Sequence, residues 1–201
     1  MLHEIGSERR RFFDEQAASW DQREEYTQDQ ARLARIVPSL GITKGSKVLD
    51  VGTGTGIATQ ALETAVGPAG LIVGIDLSLA MIRKAREVNS RVVRADCHAL
   101  PFLPRSFDVV FALAVIPHLD SIPQFFEQTA TMLSRHGRLI ILHCRSREVI
   151  NDVHRKASPA VESDILPAGD TLSMIGMQNG ISQCRYEERD NLFLWMGNYA
   201  G

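Results

Sequence analysis

Residues 48–56, Val48-Leu49-Asp50-Val51-Gly52-Thr53-Gly54-Thr55-Gly56, join an apolar run to an acid and to three glycines at alternate positions. Glycines so spaced let a backbone turn tightly and approach a ligand with no Cβ in between. The helix expected after them points unpaired N–H groups at the same place, so a small, partly anionic cofactor suits this turn. A dinucleotide fingerprint G-x-G-x-x-G needs glycine or alanine at position 57, where Ile57 stands; the pattern is D-x-G-x-G-x-G instead. A second group is Asp76, about 20 residues beyond the loop, at the tip of the apolar run 71–75. An acid there can accept both hydroxyls of a ribose, and its competing role is to cap the helix that follows. The third group is Asp96-Cys97, after the run 91–95. The last comprises His118, the pair His143-Cys144, and His154 with Asn151 three residues before it on one helical face.

Regular elements must bring these groups together. Runs at 48–52, 71–75, 91–95, 106–113 and 138–142 read as strands separated by helical stretches. Strand four is almost wholly apolar, as expected when helices cover both faces of a sheet. This alternation predicts an α/β fold, a doubly wound and mostly parallel sheet of the Rossmann-like type. Residues 181–188 and 192–197 read as two closing strands. The turn at Arg189-Asp190-Asn191 is too short for anything but antiparallel pairing, giving seven strands with an antiparallel last strand. Ahead of the sheet, residues 7–37 look helical, with a second helix over about 29–37 that stops near Pro38. Further helices are expected over 80–88, 146–156 and 170–178. A single domain over 1–201 follows, made of an amino-terminal helical segment (1–45), a cofactor-binding core (46–145) and an acceptor-side segment (146–201).

The glycine loop, Gly74-Ile75-Asp76-Leu77-Ser78, Ala95-Asp96-Cys97-His98-Ala99-Leu100-Pro101-Phe102, Phe107-Asp108-Val109-Val110 and the early Phe12-Phe13-Asp14…Trp20-Asp21 follow one another in a telling order. In this order the chain resembles the class I S-adenosylmethionine (SAM) dependent methyltransferases. Over about residues 10–145 it looks most like the branch related to the ubiquinone and menaquinone C-methyltransferases. The resemblance implies SAM as cofactor, held by Asp50, Gly52, Thr53, Gly54 and Gly56 at its amino-acid end and by Asp76 at its ribose. It implies Asp96 at the adenine amine, the backbone N–H at Cys97 at the ring, Leu77 and Met81 as walls of the base, and Ala112 at the end of strand four. Leu77 and Met81 also fit plain core packing. In this family the amino-terminal helices fold over the cofactor as a lid; they could equally cap the sheet edge. A related set of methyltransferases shares the Pro117-His118 turn and the run Ser146-Arg147-Glu148…Asn151…His154, which Asp164, Leu166 and Pro167 continue.

In open parallel sheets the ligand lies beyond the carboxyl ends of the strands, so residues after strands four and five should line the transfer pocket. His118, His143 and His154 fall there and are the candidate bases, in that order of preference. Three imidazoles could also hold zinc, iron or nickel, but no tight ligand motif such as H-E-x-x-H is present, and no metal is expected. Strand four ends in Val115-Ile116-Pro117-His118, without the Asn/Asp-Pro-Pro-Tyr/Phe turn that holds an exocyclic or amide nitrogen. A small-molecule acceptor is therefore expected, with C-, O- and S-methylation all open. Other readings are a SAM-binding regulatory or noncatalytic subunit and a nucleotide-dependent oxidoreductase on a similar sheet.

Composition fits this reading. The chain of 201 residues, 44% hydrophobic and 23% charged, is long enough to bury a sizeable core. A net charge of -2 without a long basic run argues against a nucleic-acid partner. No apolar run approaches the roughly 20 residues that span a bilayer, and no signal peptide is evident. Cys97, Cys144 and Cys184 form no C-x-x-C pair, so a cytoplasmic protein is expected. A sheet edge or the amino-terminal helices offer surfaces through which two copies could pair as a homodimer.

Overall fold

The computed structural model describes the backbone from residue 2 and side chains from residue 8 to residue 201. One seven-stranded sheet dominates it: β1 (Lys47–Val51), β2 (Leu71–Asp76), β3 (Val92–Arg94), β4 (Phe107–Leu113), β5 (Leu133–His143), β6 (Ile181–Arg189) and β7 (Leu192–Tyr199). Their order across the sheet is β3-β2-β1-β4-β5-β7-β6. Strands β1 to β5 pair in parallel, while β7 runs antiparallel between β5 and β6. The expected α/β, Rossmann-like sheet with a reversed last strand is therefore present. Order reverses between β1 and β4, and the carboxyl ends beside that switch point carry Gly52 and Ala114.

Among the described residues seven α-helices accompany the sheet: α1 (Leu2–Gln16), α2 (Glu24–Ile36), α3 (Thr59–Val66), α4 (Leu79–Ala85), α5 (Ile122–Met132), α6 (Arg147–Arg155) and α7 (Gly169–Gln178). Neighbouring strand residues point to opposite faces, so each strand feeds two apolar layers. Leu49, Val51, Val110, Ala112, Leu139 and Ile141 pack with Phe125, Phe126, Leu172 and Trp195 on one face. Val48, Val109, Phe111, Ile140 and Leu142 pack with Leu33, Val37, Leu62 and Val66 on the other. Burial of both faces explains why β4 and the run Leu139–Leu142 of β5 are apolar without alternation. Trp195 still satisfies its indole, donating to Ser173 Oγ of α7 at 3.0 Å.

Several boundaries differ from the sequence expectation, each for a tertiary reason. Strand β5 begins at Leu133 rather than Arg138, because Leu133 pairs with Phe107 before an irregularity resumes the register at Val109 and Arg138. The intervening Ser134-Arg135-His136-Gly137 reads as a turn, and His136 does carry a positive φ of 66°. Helix α2 starts at Glu24, five residues before the expected start, after a short 3-10 segment over Ala17–Gln22. Helix α4 ends at Ala85, with Glu87, Val88 and Asn89 closing it through turn hydrogen bonds.

Candidate active site

Strand β1 ends in a loop that the glycines shape. Gly52, Gly54 and Gly56 all have positive φ, a region that L side chains disfavour. A Cβ on Gly52 would lie 2.6 Å from Val115 Cγ2, so only a glycine lets this loop touch the turn after β4. At Gly54 a Cβ would meet nothing nearer than 3.9 Å, which leaves its backbone open to the cleft. Gly56 instead packs toward Val88 and does not line the cleft.

Two carboxylates hold this loop. Asp50 is buried at 1% exposure and accepts from Thr53 Oγ1 at 2.7 Å, while its Oδ1 has no partner. Burial, with the Asp76 charge adding to it and the Thr53 bond opposing, pushes the Asp50 carboxyl up to about 7. Asp76 accepts from Gly54 N at 3.0 Å through Oδ2 and from Ser78 N at 2.8 Å through Oδ1. Burial raises its pKa above the ordinary carboxylate value, against those backbone hydrogen bonds. Each oxygen keeps a lone pair for a further donor. Ser78, not Asp76, caps α4, its Oγ accepting from Met81 N at 3.1 Å. Of the two roles weighed for Asp76 in the sequence, the helix cap therefore falls to Ser78.

Between these groups and the turn after β4 lies a cleft of about 270 Å³. Gly52, Thr53, Gly54, Asp76, Leu77, Met81, Asp96 and Cys97 line it, whereas Asp50 and Ala112 are buried and not part of its lining, and Leu113 takes the wall at the end of β4. His98, which the sequence reading passed over, also lines it, but both its nitrogens are engaged. Nε2 accepts from Ser121 N at 3.2 Å, which places the proton on Nδ1, 2.7 Å from Asp96 Oδ1. Asp96, Cys97 and His98 are the one group among the described residues whose ligand atoms lie within 4.8 Å of one another. His118, His143 and His154 do not meet that spacing.

The three candidate bases occupy different surroundings. Just after strand β4, Ala114, with a φ of 53°, turns the chain toward a 3-10 turn over Ile116–His118 with Pro117 near its start. This sharp exit puts His118 on the cleft wall. Its Nδ1 lies 2.5 Å from Asp164 Oδ2, and its ring meets Phe13 edge-on at 5.0 Å. His154 of α6 sits with its ring 4.9 Å from that of His118 and directs Nδ1 to the Asp164 carbonyl at 2.9 Å. Burial and the neighbouring His118 lower its pKa. His143, at the end of β5, is 2% exposed, with Nε2 unpartnered and its ring near Phe193. Burial, reinforced by His118 and His154, pushes it down to about 3. Neither His143 nor His154 lines the cleft.

The amino-terminal helices close the cleft from above. Arg9 donates to Asp120 Oδ1 at 2.5 Å and to Asp164 Oδ1 at 2.7 Å. Asp14 accepts from Ser78 Oγ at 2.5 Å and from Ala80 N at 3.3 Å. Lys84 reaches back to both oxygens of Asp21, and Tyr26 Oη lies 3.2 Å from Thr55 Oγ1. Phe13 and Trp20 supply the apolar cover. Phe13 and Trp20 belong to the early run that the sequence singled out. The partners of Arg9, 111 and 155 residues away, left no local signal.

A family model described as a methyltransferase domain matches residues 49–141. Demethylmenaquinone methyltransferase of Staphylococcus aureus is 42% identical over 91 residues, 41% of this chain and 38% of that protein. The match thus spans less than two fifths of the length of that relative. Among solved structures, a SAM-dependent methyltransferase from Aquifex aeolicus is similar with a TM-score of 0.68 at 22% identity, covering 83% of this chain and 89% of that one. A Haloferax volcanii methyltransferase in complex with the Trm112 activator gives 0.77 at 17%, over 94% and 98% of the two chains. A SAM-dependent methyltransferase of Thermotoga maritima gives 0.78 at 14%, over 93% and 98%. Residues 49–141 thus match a methyltransferase domain, and the chain shares the fold of the solved SAM-dependent enzymes.

Proposed function

We propose that this protein transfers the methyl group of SAM to a small-molecule acceptor in the cytoplasm, with His118 taking the acceptor's proton. The residues present suit the cofactor. Asp50 does not itself line the cleft, but its unpartnered buried Oδ1, next in the chain to the lining residues Val51 and Gly52, leaves an acceptor for the amino-acid ammonium. The spare lone pairs of Asp76 suit a ribose diol, and the open backbone at Gly54 suits close approach. Leu77, Met81, Asp96 and Cys97 take the base, in keeping with the family roles.

Bound SAM brings a methyl group already activated on a sulfonium, so the protein's work is positioning and exclusion of water. Phe13 and Trp20 exclude water from above. The observation that carries the reading is the His118 geometry: Nδ1 is engaged by Asp164, which leaves Nε2 to accept a proton at the cleft wall. A base at this place favours an acceptor with a proton to lose, a hydroxyl or an acidic carbon, over a thiolate. His154 and His143 support the wall rather than act on the substrate. The acceptor of the Staphylococcus relative stays with that relative, because the match spans only 38% of it, and His143, His154 and Asp164 lie beyond the methyltransferase-domain match at 49–141.

Single-turnover incubation with methyl-labelled SAM and a pool of cellular small molecules tests the proposal. Label should appear in a low-mass product, and His118→Gln should slow its appearance by roughly 10² or more, the usual worth of a positioned base. SAM binding with no transfer to any pool would favour the regulatory subunit instead.

A further inference from the structure

The acid beside His118 arrives from far along the chain, and the fold spends several contacts on bringing it there. Segment 156–168 links α6 to α7, and Asn151 of α6 grips it twice. Asn151 Nδ2 donates to the Leu166 carbonyl at 3.3 Å, and Leu166 N donates to Asn151 Oδ1 at 2.8 Å. One turn further along α6, His154 Nδ1 holds the Asp164 carbonyl at 2.9 Å. Leu166 and Val161 bury their side chains on either side of Asp164. So clamped, the Asp164 side chain is 1% exposed, and it spends one oxygen on His118 and the other on Arg9. Burial alone would raise its pKa, but the hydrogen bonds from His118 and Arg9 and the positive charge of Arg9 oppose that, and it lies below the ordinary carboxylate value. An ionised carboxylate accepts and cannot donate, so the proton of neutral His118 is confined to Nδ1.

We propose that Asp164 is a positioning residue, fixing His118 as its Nδ1–H tautomer with Nε2 bare, and that Arg9 of α1 is the counter-charge that keeps this buried carboxylate in place. The inference rests on the reading of His118 as the base and adds what makes it one: without the acid, the ring could carry its proton on the nitrogen that must receive another. Asn151 and His154, whose spacing the sequence singled out, then serve the same end by holding the segment that delivers Asp164.

The test is the ¹⁵N spectrum of histidine-labelled full-length protein with S-adenosylhomocysteine bound, at a pH where free imidazole is neutral. His118→Gln assigns the signal. In the wild type, His118 Nδ1 should appear protonated and Nε2 in the unprotonated, pyridine-like range. Asp164→Asn retains an acceptor oxygen and should keep that pattern, whereas Asp164→Ala should move the proton, wholly or in part, to Nε2. His98, fixed separately by Asp96 and Ser121, should not change in either variant and reports an intact fold. A wild-type ring protonated on Nε2 overturns the proposal, whether or not Asp164→Ala folds; so does an unchanged pattern in a folded Asp164→Ala. The spectrum reads the place of a proton and needs no turnover. An Nδ1–H ring in a protein that never transfers methyl would therefore sink the methyltransferase reading and spare this one.

Discussion

At the scale of single residues, the account turns on charges placed where water cannot reach them. Asp76 already holds two backbone N–H groups, and charge-assisted bonds to a ribose are worth roughly 1.5 to 3 kcal/mol each. Asp76→Ala should weaken SAM binding about tenfold or more by calorimetric titration. Asp50 makes a prediction of opposite character. Its carboxyl titrates near 7 in the ligand-free fold but near about 3.9 when unfolded, so between those values the folded state holds a proton that the unfolded state lacks. Ligand-free stability should therefore decline as pH rises through that window, and an ammonium at Oδ1 should expel the proton. SAM binding below pH 7 should release protons, measurable in buffers of different ionisation enthalpy, and Asp50→Asn should abolish the release. His143 works the other way. Its depressed pKa costs stability as pH falls from about 6.5 toward 3, because the unfolded imidazole gains a proton that the buried ring refuses. His143→Leu should resist acid in urea melts better than the wild type while binding SAM equally well. A loss of SAM affinity in that variant would return His143 to the site.

At the scale of elements, the strand-to-turn junctions matter most. The loop after β1 and the turn after β4 touch through Gly52 and Val115, so Gly52→Ala meets both a positive φ and a clash. It should cost roughly 1 to 3 kcal/mol, visible as a lower urea midpoint. Helix α1 is tied to α4 through Asp14, and Asp14→Ala should leave the sheet intact while trypsin cuts faster within residues 8–23, with SAM protecting less than in the wild type. These elements were unequally legible in the sequence. The glycine loop and strands β1, β2 and β4 follow from local pattern, because apolar runs and glycines act over a few residues. The early start of β5 was not legible, since Leu133 is recruited by Phe107 across the sheet and the turn-like residues between are carried along. Asp164 stood out only as a continuation of a shared run, and Arg9 not at all. Their function lies in each other and in His118, and no spacing along the chain encodes that meeting.

At the scale of the whole molecule, a two-sided sheet places the glycine loop, Asp76, Asp96 and the His118 turn beyond the carboxyl ends of its parallel strands, and α1, before the sheet, with the α6–α7 segment, between β5 and β6, completes the site. Residues 49–141 match a methyltransferase domain, while α1, α2, α6 and the segment before α7 lie outside that match. No helix among the described residues is long and apolar enough to cross a membrane. The central claim is that the cleft between the glycine loop, Asp76 and His118 receives SAM. Calorimetric titration of the full chain with SAM, S-adenosylhomocysteine and NAD tests it most directly. The account predicts stoichiometric binding of the first two, strongly weakened in Asp76→Ala, and none of NAD. Binding of NAD alone, or SAM binding indifferent to Asp76, would contradict it.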